Sequence, residues 1–301
     1  MVRFKAIRAS RLLLGLAIAL FLLVAAALGI RYCLSGGSQP PAANASLVCA
    51  ETREEAETTS VFASSAGADT PAPTPETPVR GPSVLIYHTH THEAYEQEAG
   101  DPYIAIEAWR TVDTDHSVVR VGAELARRLR DYGFDVVHDT TDNEGDALGT
   151  AYTRSLAMLE SYDRAFDLYI DLHRDACAGD EADDGDDASA ARLMLLIGNG
   201  EGFVDKPYTA QNYAFAKALT GEINTIQPGL CKDVLVKDGR YNQNIGVFSI
   251  LVEVGHNKNT LTEALASVPP LAEAIDRLMV RAPRPELVAM REDYRRGQGR
   301  S

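Results

Sequence analysis

The run Val84-Leu85-Ile86-Tyr87-His88-Thr89-His90-Thr91-His92-Glu93 sets three imidazoles and a carboxylate directly behind an apolar segment. Neutral imidazole and carboxylate oxygen are ligands suited to zinc, and a catalytic zinc site takes three protein ligands and keeps one position open for water. His90 and Glu93 have the His-x-x-Glu spacing that lets a strand end and the turn after it supply two of those ligands. The third must come from elsewhere. A lone histidine on a strand is ordinarily a hydrogen-bonded core or surface residue. The chain has only seven histidines, so three within five positions form a cluster that points to metal.

Two further apolar runs carry polar residues near their ends. His173 closes the run from Phe166 and is followed at once by Arg174-Asp175, and Glu253 lies in Leu251-Val252-Glu253-Val254-Gly255. Ligands of open α/β sheets sit beyond the carboxyl ends of the strands, so these groups are expected to converge in one cleft. The chemistry they suit is metal-assisted hydrolysis. Zinc held by His90, Glu93 and His173 lowers the pKa of a water toward roughly 7, and Glu253, left unligated, takes its proton and passes it to the leaving amine. Arg174 is expected to polarise the scissile carbonyl or to bind a substrate carboxylate through its planar fork.

Alternatives stand beside these assignments. His88, two residues from His90 and so expected on the same strand face, is a supporting partner or an alternative ligand. His92 should point the other way. His116 replaces Glu93 if that carboxylate is unligated, and His256 can line the cleft. Glu253 has a purely structural reading as the partner of a buried ion pair with Arg174, because a buried carboxylate is costly unless paired or functional.

The elements that must position these groups read as alternating strands and helices. Strands are expected from Ser83, from Phe134 to His138, from Phe166 to His173, from Arg192 to Ile197 and from Val247 to Val254. Helical spacing runs from Val118 to Tyr132 with Gly133 as a stop, from Ala151 to Tyr162, and from Tyr208 to Asn224. Thr260 and Glu263 fit a capping box, and Pro269-Pro270 must break or restart the helix that follows. The expected fold is a single α/β domain over residues 83–281, a mostly parallel twisted sheet flanked by helices. Residues 282–301 read as a polar, disordered tail.

Ahead of the domain lie an anchor and a tether. Residues 1–11 hold Arg3, Lys5, Arg8 and Arg11, and residues 12–30 are an uncharged apolar run of the roughly 20 residues that span a hydrocarbon core. This predicts a single-pass anchor with the basic flank in the cytoplasm and the domain on the extracytoplasmic side; a signal peptide cleaved near Ala25-Ala26-Ala27 is the competing reading. Residues 31–82, rich in Ser, Ala, Pro, Thr and Glu beyond Ser35, are expected to be a flexible linker. Four cysteines (Cys33, Cys49, Cys177, Cys231) are too few for a disulfide-built fold. The formal net charge of -14 argues against a nucleic-acid partner. The acidic residues 180–187 lack the closing Glu of a calcium loop and read as a solvated surface loop.

The set Ile86-Tyr87-His88-Thr89-His90 with Glu93-Ala94-Tyr95, Asp171-Leu172-His173-Arg174-Asp175, Tyr241-Asn242-Gln243, and Val252-Glu253-Val254-Gly255 with Asn259-Thr260 resembles the stage II sporulation protein P family. The resemblance covers residues 83 to 280. It implies a membrane-anchored, zinc-dependent N-acetylmuramoyl-L-alanine amidase that also acts as an endopeptidase on peptidoglycan. The zinc would sit on His90, Glu93 and His173, Glu253 would be the acid/base, and His88 would be a further position of the motif. The implied substrate is the amide joining muramic acid to L-Ala of the stem peptide, and the implied partner is a lytic transglycosylase of the stage II sporulation protein D type. Two other readings fit the residues: a zinc carboxypeptidase acting on wall peptides, and a wall-binding module without catalysis.

Overall fold

Burial on both faces accounts for the first strand. All residues of β1 (Ser83–Tyr87) are buried, which is why the segment reads as an unbroken apolar run rather than an alternating one. The computed structural model describes residues 81–145, 147–176 and 189–299. The expected anchor, the linker up to residue 80, the acidic residues 180–187 and Cys33, Cys49 and Cys177 lie outside the described residues. Among the described residues no helix is long and apolar enough to cross a membrane.

Helix α1 (Val118–Asp131) starts where the Ser117 hydroxyl accepts from Val119 N, and Gly133 takes up a positive φ of 88° just beyond its end. There follow β2 (Asp135–His138), α2 (Ala151–Glu160), β3 (Leu168–Asp175), β4 (Leu193–Gly198), α3 (Thr209–Ile226), β5 (Leu235–Lys237) and β6 (Ser249–His256). Helix α4 (Leu261–Ala266) carries both halves of the Thr260/Glu263 capping box. The chain restarts as α5 (Val268–Asp276) with proline in its first turn, where a missing N–H costs nothing.

Among the described residues the six strands form one sheet in the order β2-β1-β3-β6-β4-β5. β1 is parallel to β2 and β3, β3 to β6 and β4 to β5, whereas β4 runs antiparallel to β6. The sheet is therefore mixed rather than uniformly wound. A strand buried on both faces has the same composition whichever way it runs, so the reversal at β4 left no mark in the sequence.

The larger core lies on one face. Val84, Ile86, Ile170, Leu172 and Val252 meet Leu125 and Leu129 of α1, Phe215 of α3 and Leu271 of α5. The opposite face is covered more thinly: Leu85, Tyr87 and Tyr169 pack with Leu159 of α2 and with Phe166. Residues 285–297, expected to be a disordered tail, form α6 (Pro285–Gly297) instead. Two anchors hold it, the buried Leu287 and Tyr294, and the Arg295 guanidinium donates two bonds of 2.7 Å to Asp167. Leu287, Met290 and Tyr294 recur at three and four residues along its packed face, a short stripe set in a segment otherwise rich in charge.

Candidate active site

Parallel pairing brings the carboxyl ends of β1, β3 and β6 to one edge of the sheet. β1 ends at Tyr87, and the chain then bends because Thr89 is tied to β3: its N–H and hydroxyl donate to Asp171 at 2.8 and 2.7 Å. The bend swings His90 over β3. Its ring centroid lies 5.3 Å from that of His173, with the ring planes at 81°, and 5.7 Å from the ring of Tyr152 on α2. Asp171 and His173 share a strand face, as alternation requires, and Glu253 is the register neighbour of His173 on β6. Asp171 Oδ1 stands 2.9 Å from His173 Nε2.

Glu93 enters from the loop beyond β1. Its Oε2 accepts from Arg174 N at 3.1 Å and lies 3.3 Å from His173 Nδ1. The loop is fixed on several sides: Val118 N donates to Glu93 O at 2.9 Å, Ala94 N donates to Trp109 O at 2.9 Å, and the Tyr95 hydroxyl donates to Val254 O at 3.0 Å. His90, Glu93, His173 and Glu253 thus gather at three strand ends.

Burial sets the electrostatics. It pushes Glu253 up to about 8, the nearby His173 opposing and Glu93 and Asp175 reinforcing the rise. Burial works the same way on Glu93, but there His173, Arg174 and His90 outweigh it and bring the group down to about 2. His173 is raised well above the ordinary histidine range, since Asp171 and Glu93 overcome its desolvation. His90 is lowered, first by burial and then by His173. The two glutamates therefore occupy one site in opposite protonation regimes.

Several expected residues stand elsewhere. His88 continues the β1 alternation onto the α1 face: its Nδ1 bonds Leu172 O at 2.8 Å and its Nε2 lies 2.9 Å from His138 Nε2. It is buried away from His90, because the strand periodicity that would have aligned them stops at Tyr87. Arg174 points to the face opposite His173, and its guanidinium donates to Ala94 O, Trp109 O and Asp175 O. It clamps the Glu93 loop instead of facing a substrate, and no ion pair joins it to Glu253. His92 lies against Asp142 and Glu144, and His116 against Asp101 and Asp113. The buried His256 accepts from Lys258 N.

Three residues of the site went unassigned in the sequence: Asp171, Tyr152 and Glu144. The buried Glu144 is paired with Arg110 and lies 3.5 Å from His90 Nδ1. Each of the two imidazoles thus has a carboxylate beside it that can orient its ring. Asp171 had a legible signal, an acid two residues before His173 in an apolar strand. Glu144 sits in a polar loop and had none.

Among the described residues no three His, Cys, Asp or Glu side chains stand in ready-made metal-holding geometry, so the expected set is not preassembled. The donors nevertheless fit a divalent ion. Asp171 holds His173 Nε2, which leaves Nδ1 as the nitrogen facing Glu93 Oε2, while His90 Nδ1 and Glu253 Oε2 are buried without a hydrogen-bond partner. Two imidazoles sharing one ion through bonds of about 2 Å have centroids about 5 Å apart. The separation of 5.3 Å is of that size.

The fold and this cluster define an α/β protein with an imidazole–carboxylate site at the carboxyl ends of its parallel strands. The sequence matches the family described as Stage II sporulation protein P (SpoIIP) over residues 39–276, and the chain belongs to that family. Among solved structures it is similar to an N-acetylmuramoyl-L-alanine amidase from Clostridium difficile 630, at 13% identity and a TM-score of 0.42, covering 66% of this chain and 97% of that one. It is also similar to the N-acetylmuramoyl-L-alanine amidase AmiC2 of Nostoc punctiforme, at 16% identity and a TM-score of 0.40, covering 66% and 95% of the two chains. No curated protein matches the sequence.

Proposed function

We propose that the protein is a zinc-dependent peptidoglycan hydrolase that cleaves the amide between N-acetylmuramic acid and L-Ala of the stem peptide. The observation that carries this reading is Glu253: a buried carboxyl with an unbonded oxygen, held up to about 8, beside two imidazoles and a second carboxylate. A carboxyl in that range can accept a proton from water and deliver it to a leaving amine near neutral pH. His90, His173 and Glu93 are the residues that would hold the ion. A divalent ion bound there supplies Lewis-acid polarisation of the scissile carbonyl and acidifies water. Asp171 and Glu144 keep the two imidazoles oriented.

Membership of the SpoIIP family supports a role in cell-wall remodelling during sporulation. In the same reading residues 12–30 hold the protein in the cell membrane with the domain outside, and a lytic transglycosylase of the stage II sporulation protein D type works beside it. Product analysis on purified peptidoglycan with added zinc tests the chemistry. Intact stem peptides with a newly freed alanine amino group are expected. Loss of a terminal residue alone would make the enzyme a carboxypeptidase, and adsorption without products would leave a wall-binding module.

A further inference from the structure

Next to the site is a cavity of about 280 Å³ lined by Tyr152, Phe203, Gly239, Arg240, Tyr241 and Asn242. Tyr152 joins the two regions, because its ring contacts that of His90 on one side and that of Tyr241 on the other, each at 5.7 Å. A molecule reacting at His90 would extend past Tyr152 into this space.

The segment that builds the cavity is held in a costly conformation. Tyr241 and Asn242 both lie in the left-handed region, with φ of 49° and 53°. For a tyrosine this is unfavourable, and such strain persists only where the surroundings over-determine it. They do so here. Asn242 Nδ2 donates to Tyr152 O at 2.8 Å and to Ser155 Oγ at 3.0 Å. Gln243 donates to Leu196 O at 2.9 Å and accepts from Gly198 N at 2.9 Å. Gly198 admits the segment by lacking a Cβ, which would stand 2.5 Å from Gly239 O and 2.9 Å from the Tyr241 ring.

Arg240 is the cation of this cavity. Its guanidinium carbon stacks 4.5 Å over the ring of Phe203, and its Nε is buried without a hydrogen-bond partner. Among the described residues no carboxylate pairs with it, although the chain carries 43 acidic residues against 29 Lys and Arg. A half-buried guanidinium left without an acid in so acidic a chain is an available bidentate donor to a carboxylate. Its apolar surroundings would strengthen such a pair.

We propose that this cavity is the subsite for the peptide portion of the substrate, and that Arg240 pairs there with a carboxylate carried by that peptide. The proposal rests on the hydrolase reading for its substrate class. Arg240 is then a specificity residue that sorts acidic peptides from their amidated counterparts.

The test compares two muramoyl peptides that differ only in carrying a side carboxylate or a carboxamide on the residue after L-Ala. Binding of each to the full-length Glu253→Gln protein is measured by calorimetry, with and without Arg240→Met, and turnover of each by the otherwise unaltered enzyme is measured alongside. The carboxylate ligand is expected to bind about 10- to 100-fold more tightly, the range for a hydrogen-bonded charged pair. Arg240→Met should bring the two ligands within about twofold of each other by weakening the acidic one alone. Unchanged binding of the amidated ligand shows that the loop is intact. Equal affinity for both ligands before substitution, or an equal loss for both after it, overturns the proposal. If neither ligand is turned over but the binding preference persists, the hydrolase reading fails and the subsite stands.

Discussion

Glu93 and Glu253 are the same side chain put to opposite uses by their neighbours. Glu93 receives the Arg174 N–H and lies against His173, so its pKa is lowered; Glu253 is buried with an oxygen that has no donor, so its pKa is raised. Glu253 was legible because an acid inside an apolar run is conspicuous, and Glu93 because it stands three residues after His90 in a histidine cluster. The direction of Arg174 was not, since its neighbour His173 takes the site face and alternation sends the guanidinium to the loop. Arg174→Met would leave the Ala94 carbonyl without its donor and take one of two donors from each of Trp109 O and Asp175 O, at a cost of about 1–3 kcal/mol. A lower urea midpoint is expected. Unchanged stability with lost hydrolysis would restore Arg174 to direct contact with substrate.

At the scale of the element, α1 can approach β1 because Gly122 leaves room. A Cβ there would come within 2.7 Å of both His88 Nε2 and His138 Nε2. Gly122→Ala should therefore destabilise despite its better helix propensity, by about 1–3 kcal/mol of overpacking. A melting temperature equal to or above that of the natural protein would show that the imidazole pair can yield. Helix α6 offers a second check. Burial raises the Asp167 pKa, but the Arg295 fork and the Ser83 donors outweigh it, and the group is lowered on balance. A depressed folded pKa contributes stability above the unfolded carboxylate value of about 3.9, and that stability is lost as pH falls through the folded value. Arg295→Gln is expected to cost about 1 kcal/mol near pH 7, discounted for the part-exposed arginine, and the difference should shrink in acid. A deficit independent of pH would assign the loss to packing. Most strands and helices were readable from period and caps. The strand β5 is three residues long with two of them exposed, and the packed stripe of α6, Leu287, Met290 and Tyr294, is short and set among charged residues, so both were overlooked in the sequence.

The whole molecule combines a site at three strand ends with a chain that is acidic on balance, which suits a hydrolase needing solubility and a few well-placed cations rather than broad attraction to a polyanion. The proposed anchor makes its own prediction: the full-length protein should stay in the membrane fraction, and a shortened soluble product would place cleavage near Ala27. The central claim concerns Glu253, and one paired measurement reaches it. Hydrolysis of purified peptidoglycan and bound zinc are determined for the natural protein, for Glu253→Gln and for His173→Ala. Glu253→Gln is expected to keep its zinc and lose hydrolysis by about 100-fold or more, as removal of a general acid/base does, whereas His173→Ala should lose both. Near-normal hydrolysis by Glu253→Gln would contradict the account.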